Sequence, residues 1–223
     1  MLLPSEEKKY TYREYLQWPE DERYELIEGI PYMQAAPSWQ HQAISRELII
    51  QFGNYLKGKK CSVFSSPFDL ILTNEEDKMD GKNVFQPDLL VVCDSSKLIG
   101  TGYTGIPDLI IEIVSPSTAR SDKFYKFNMY EKFGIKEYWI IEPDIKLLSV
   151  FTLNKDDRYG RPELYSEVDK VKVQVLKNLE INLATTFCCR IQSSNTIYCS
   201  FYSLCDSPYF LFFRKLYLWT ICV

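Results

Sequence analysis

Residues 85–94 read FQPDLLVVCD, and residues 106–140 read IPDLIIEIVSPSTARSDKFYKFNMYEKFGIKEYWI. Within them, Leu89–Cys93 and Leu109–Val114 are strand-length runs of Leu, Val and Ile. Runs this apolar belong to strands buried on both faces of a sheet. Each carries a carboxylate: Asp88 at the mouth of the first, Glu112 inside the second. An unpaired buried carboxylate costs several kcal/mol, so Glu112 needs a partner, a metal or an opening to water. Side chains alternate along a strand, which puts Ile110, Glu112 and Val114 on one face and Leu109, Ile111 and Ile113 on the other. If the two strands are neighbours, Asp88 and Glu112 converge on one hard cation. Mg²⁺ is held by one or two carboxylates together with waters and phosphate oxygens. That is the layout of metal-assisted phosphodiester hydrolysis.

Downstream, Ser115-Pro-Ser-Thr118 breaks the strand. The pattern predicts a helix from about Ala119 to Phe133, with Gly134 as its stop. Residues 119–136 hold Arg120, Lys123, Lys126, Lys132 and Lys136 against Asp122 and Glu131, a local basic excess. Asp122, Lys126 and Tyr130 follow at i, i+4 and i+8 and stack on one helix face. Read plainly, this is an ion-pair ladder; read with its place after the Glu112 strand, it offers Lys126 for catalysis. Lys123 lies three residues before Lys126, about 60° away around an α-helix. Both are expected to lean toward one cleft, Lys123 as a point charge on a phosphate backbone.

Upstream, Tyr24–Ile27, Glu28-Gly29 and Ile30–Met33 read as strand, turn and strand. Glu25 and Glu28 are solvated turn carboxylates, or else Glu25 borders the site. A helix starts at Pro37-Ser38 and runs to about Tyr55, with Ile44, Leu48, Ile49, Phe52 and Leu56 at helical spacing. His41, the single histidine, falls in its first turn. It is a structural residue, or it faces the cleft and meets phosphate or a metal-bound water; alone it cannot build a histidine metal site. Further strands are expected at Cys61–Phe64, Phe68–Leu72, Glu137–Ile141 and Leu147–Leu153, with edge strands at Glu163–Val168 and Val171–Leu176. Tyr138 and Trp139 read as core aromatics rather than a base-stacking platform.

The ordered set YELIEG (24–29), His41, QPDLLVV (86–92), PDLIIEIVSPST (107–118), Asp122, Lys126, Tyr130 and EYWIIEP (137–143) resembles the PD-(D/E)xK nuclease superfamily. The closer resemblance is to its Uma2 family of restriction-endonuclease-like proteins, once a domain of unknown function common in cyanobacteria. It covers roughly residues 9–187. The resemblance implies an α/β restriction-endonuclease-like core, a central mixed β-sheet flanked by α-helices. It also implies Mg²⁺ (or Mn²⁺) on Asp88, Glu112 and the main-chain carbonyl of Ile113, with DNA as substrate. The superfamily's Glu-x-Lys would put lysine at 114, where this chain has Val114; Lys126 is the matching position. The set is therefore Asp88, Glu112 and Lys126 as catalytic residues, with Glu25, His41, Asp122, Lys123 and Tyr130 around them.

The chain has 223 residues, 46% of them hydrophobic, which suits one domain with an appendage. Its net charge of −4 counts against a constitutive high-affinity nucleic-acid binder and leaves room for an enzyme with a local basic patch. The opening MLLPSEEKKY has no secretory h-region, and nothing in residues 1–187 is apolar for long enough to span a membrane. Cys61 and Cys93 stand isolated, which reads as a reduced cytoplasmic protein. Residues 188–223 hold five of the seven cysteines, no glycine and no persistent period. They are expected to lie outside the 1–187 domain, as a disordered or frameshifted tail. The reading is a metal-dependent endonuclease, dimeric if it cuts both strands at once. Val114 motivates the rival, an inactive nucleic-acid- or protein-binding module on the same fold; a structural or toxin-like partner protein has no residue in its favour.

Overall fold

The fold was obtained as a computed structural model that describes residues 8–19, 22–115 and 121–188. Its strands are β1 (Tyr24–Ile27), β2 (Ile30–Met33), β3 (Ser62–Ser65), β4 (Asp69–Ile71), β5 (Val84–Phe85), β6 (Leu89–Val92), β7 (Leu98–Ile99), β8 (Gly102–Tyr103), β9 (Leu109–Ile113), β10 (Glu137–Glu142), β11 (Leu147–Thr152), β12 (Glu163–Ser166), β13 (Lys170–Lys172) and β14 (Glu180–Asn182). Its α-helices are α1 (Tyr12–Tyr15), α2 (Trp39–Leu56), α3 (Phe127–Lys132) and α4 (Leu183–Thr186). The main sheet has the order β12-β11-β10-β9-β6-β3. It is mixed, because β9 and β10 run parallel while β6 pairs antiparallel with β9.

Strand alternation sorts β9 into two cores. Leu109, Ile111 and Ile113 pack with Trp139 and Ile141 against Ile44, Leu48, Phe52 and Leu56, the apolar stripe of α2. Ile110 and Val114 face the other way, with Tyr138, Ile140 and the α3 residues Met129 and Tyr130. Each such fully buried side chain stabilises the fold by roughly 1.5–3 kcal/mol. Tyr138 and Trp139 are core residues, as their sequence context predicts. Glu112, sharing a face with Ile110 and Val114, is thereby aimed at α3 and not at α2.

That second face is also covered by a sheet the sequence did not announce, with the order β2-β1-β5-β4-β8-β7. The predicted β1–β2 hairpin is its edge, closed by a turn in which Glu28 (φ 53°) and Gly29 (φ 83°) both take positive φ. β5, β7 and β8 have two residues each, too short for any period to show. The strand expected at Val171–Leu176 is shorter and shifted, Lys170–Lys172.

Cys61 and Cys93, expected as isolated thiols, are joined in a disulfide. They flank the antiparallel register Ser62↔Val92, so the pairing of β3 with β6 sets them side by side across 32 positions of sequence. Apart from Cys188, which is free and exposed, the tail of residues 188–223 lies outside the described residues. No helix among the described residues is long and apolar enough to cross a membrane.

Candidate active site

Pro87 shapes the site first. A proline cannot donate to a ladder, and β6 starts only at Leu89. The register Leu89↔Ile111, continued by one residue, sets Asp88 opposite Glu112. With the ladder ended, the Ile113 N–H donates to the Asp88 carboxylate instead, 2.7 Å to Oδ2. The N–H and C=O of one strand residue leave on the same side, so the Ile113 carbonyl faces that edge as well. His41 Nε2 stands 3.0 Å from the same Oδ2. Nε2 is assigned the proton on that contact, which leaves Nδ1 buried without a partner among the described residues. His41 thus faces the cleft, on the polar side of α2 that also presents Ser38, Gln42 and Ser45.

Glu112 is buried and is held from α3 and the turn before it. Lys126 Nζ donates to Oε1 at 3.0 Å, and the Tyr130 hydroxyl donates to the same oxygen at 2.9 Å. Oε2 accepts no hydrogen bond among the described residues. Glu112 and Asp88 line one cleft of about 180 Å³, together with Asp122, Lys126, Arg23 and His41.

Lys126 is only 4% exposed at the side chain and sits inside three carboxylates: Glu25 Oε1 at 2.9 Å, Glu112 Oε1 at 3.0 Å and Asp122 Oδ1 at 3.3 Å. Burial alone pushes an ammonium down. Here Glu112, Glu25 and Asp122 outweigh it and hold Lys126 well above its ordinary value, so it stays charged. For Glu112, burial comes first and pushes the carboxyl well up. Lys126 opposes this, and the like charges of Asp122, Asp88 and Glu25 add to it. Burial followed by the Glu112 charge likewise pushes the Tyr130 hydroxyl up, keeping it a donor.

The helix predicted as α after the strand begins as a π-turn over Ser121–Lys126. A π-turn holds more residues per turn than an α-helix, which undoes the expected alignment of Lys123 with Lys126. Asp122 and Lys126 point inward, and the Asp122 carbonyl accepts from the Tyr138 hydroxyl at 3.0 Å. Lys123 does not lean into the cleft. It pairs with Glu142 at 2.6 Å, 44% exposed at the side chain, in a separate hollow with Phe127 and Phe151.

Glu25 is fully buried and is not a solvated turn residue; Glu28 is exposed. Gln34 donates to Glu25 Oε2 at 2.9 Å and the Gln86 N–H to Oε1 at 2.8 Å. Sequence reading passed over Gln34, Gln86 and Arg23. The only signal was for Gln86, which immediately precedes Pro87-Asp88.

The donor set fits a hard divalent cation. Asp88 and Glu112 are opposite each other on one cleft, Glu112 keeps one oxygen without a hydrogen bond among the described residues, and a main-chain carbonyl faces the same edge. The remaining carboxylates are taken up by the Lys126 ammonium. Among the described residues no group of three or more His, Cys, Asp or Glu side chains is placed to hold a metal alone.

The chain matches the Uma2 family, described as "Putative restriction endonuclease", over residues 12–184. It is 33% identical to the uncharacterized protein slr1290 of Synechocystis sp. over 124 residues, 55% of this chain and 62% of that protein. The match thus spans less than two thirds of that relative's length. A second uncharacterized Synechocystis protein, sll1609, is 26% identical over 186 residues, 79% of this chain and 99% of its own. The crystal structure of an Anabaena variabilis protein, described as a "putative nuclease belonging to DUF820", shares the fold. Its TM-score is 0.64 at 21% identity, over 79% of this chain and 97% of that one.

Proposed function

The chain belongs to the Uma2 family, and from that premise we propose that it is a divalent-metal-dependent nuclease that hydrolyses phosphodiester bonds in DNA, with Asp88, Glu112 and Lys126 as its catalytic side chains. The observation that carries this reading is the division of labour on Glu112. One oxygen is fixed by Lys126 and Tyr130, the other accepts no hydrogen bond among the described residues, and Glu112 lines the cleft shared with Asp88. Mg²⁺ or Mn²⁺ held by Asp88, Glu112 and the Ile113 carbonyl would supply Lewis-acid polarisation of the phosphate and an acidified water. The Ile113 N–H and His41 orient Asp88. Lys126 brings positive charge to the side of Glu112, where charge on the phosphate grows during attack. Tyr130 and Asp122 hold Glu112 and Lys126 in place.

Val114 leaves the usual lysine position empty, which motivated the inactive-module alternative. Lys126 reaching Glu112 from the helix favours the enzyme. Each chain has one such cleft among its described residues, so cutting both strands in one event calls for two copies. A cytoplasmic location belongs to the same proposal on the ground of the substrate; the joined Cys61 and Cys93 lend it no support. The test is conversion of supercoiled plasmid. Wild-type protein with Mg²⁺ or Mn²⁺ should nick or linearise it, and a chelator should stop this. Intact DNA across a varied plasmid and genomic set, with either metal, would sink the nuclease reading.

The raised Glu112 carboxyl sets a pH dependence. Between the ordinary carboxylate range and its raised value, the folded protein keeps a proton that the unfolded chain has lost. The stability of the cation-free protein therefore falls as pH rises through that window. Cation binding needs Glu112 ionised, so its affinity should rise over the same window and release protons. Mn²⁺ titration calorimetry at about pH 6 and about pH 8, in buffers of different ionisation heat, reads both effects. Equal affinity without proton release would contradict the assignment of Glu112.

A further inference from the structure

Among the described residues two cations line the cleft, Lys126 and Arg23. Lys126 is committed to three carboxylates. Arg23 has no carboxylate partner among the described residues. Its guanidinium is fixed by neutral groups: Nε and Nη2 donate to Gln86 Oε1 at 3.1 and 2.9 Å, and Nη2 also donates to Ser66 Oγ. Gln86 is itself fixed, since its side-chain amide donates to Asp69 Oδ1 at 3.0 Å and to the Tyr15 hydroxyl at 3.1 Å. Neutral partners set the orientation of a guanidinium without cancelling its charge. Nη1 makes no hydrogen bond among the described residues, so a donor and a full positive charge remain for an anion. A fixed, uncancelled guanidinium is suited to the oxygens of a phosphate group.

Its surroundings agree. The N-terminal turn of the 18-residue helix α2, with Ser38 as its cap, lines the same cleft and adds the positive end of a helix dipole. Arg23 and Gln86 also form part of the wall of a second cavity, of about 460 Å³, with Tyr15, Trp18, Tyr24 and Phe68 among its lining. A strand with a phosphate on Arg23 therefore has the metal-binding carboxylates on one side and room for a nucleoside on the other. We propose that Arg23 anchors a phosphate of the substrate strand next to the bond to be cut, an inference that rests on the nuclease reading above.

The test is DNA binding without cleavage, measured by fluorescence anisotropy of a labelled duplex in metal-free buffer over a range of salt. Arg23→Gln should weaken binding roughly tenfold at low salt. It should also lower the slope of log affinity against log salt by about 0.9, the loss of one phosphate contact. Arg23→Lys should keep the slope and lose part of the affinity, because the charge stays and the fork does not. Arg13→Gln is the matched control: it removes the same charge from an exposed arginine paired with Asp77 and Asp80, and it should leave the slope unchanged. Thermal melts establish that each variant is folded, and Arg23→Lys carries the test if Arg23→Gln is not. An Arg23→Gln slope equal to wild type, or an equal drop in Arg13→Gln, overturns the anchor and leaves the nuclease reading standing. Wild-type protein that binds no DNA at low salt overturns both.

Discussion

Lys126→Met is expected to lower stability by about 3–5 kcal/mol at mildly alkaline pH, the cost of breaking a buried ion pair from one side. The reason is local. Glu25, Glu112 and Asp122 all lie within 3.3 Å of Nζ, and these buried carboxylates would be left without their counter-charge. Against a total stability of roughly 5–15 kcal/mol, such a loss brings the domain near its folding threshold. The stranded carboxylates can recover by taking up protons, so the deficit should shrink as pH falls. Urea unfolding at about pH 8 and about pH 5.5 reads this directly. A deficit under about 1 kcal/mol at the higher pH would mean that Lys126 is not the hub of the cluster. Lys123→Met is the contrast. Its partner Glu142 is also partly solvated, and its loss should stay within about 0.5 kcal/mol. Activity lost in Lys126→Met must therefore be read against its folded fraction.

Asp88→Asn and Glu112→Gln separate chemistry from folding more cleanly. Each should leave cleavage below roughly 1% of wild type, a rise of at least about 2.7 kcal/mol in the barrier. Each should also leave the fold intact. The amide oxygen introduced by Asp88→Asn can still accept from the Ile113 N–H, and the amide oxygen introduced by Glu112→Gln can still accept from Lys126 and Tyr130. Removing one of the three carboxylates around the Lys126 ammonium relieves their repulsion, so the cation-free Glu112→Gln protein should be as stable as wild type or more so. Plasmid conversion together with thermal melts on the same samples checks both halves. Either variant cutting at the wild-type rate would remove its residue from the site.

Much of this site was legible because strand parity is strict. Once residues 109–114 are a strand, Glu112 must share a face with Val114 and oppose Ile111, and a neighbouring strand that opens at Asp88 brings the two carboxylates together. Lys126 was legible through its i+4 spacing from Asp122, which survives even in the π-turn. Lys123 was misplaced because its direction was computed for an α-helix, and a π-turn rotates it away. Burial of Glu25 depends on a second sheet whose strands β5, β7 and β8 carry no period, so its hairpin looked solvated. Arg23 and Gln86 could not be found from spacing, since they lie 63 positions apart and meet only when β1 pairs with β5. Cys61 and Cys93 were hidden for the same reason, as only the β3–β6 register brings them together.

Asp88 and Glu112 are proposed to hold one divalent cation between them. Anomalous scattering from crystals soaked in Mn²⁺ tests it most directly. A single strong peak in contact with both carboxylates, absent from Asp88→Asn crystals, is the predicted result. A peak that avoids Glu112, or none at millimolar Mn²⁺ with the cleft open to solvent, would contradict it.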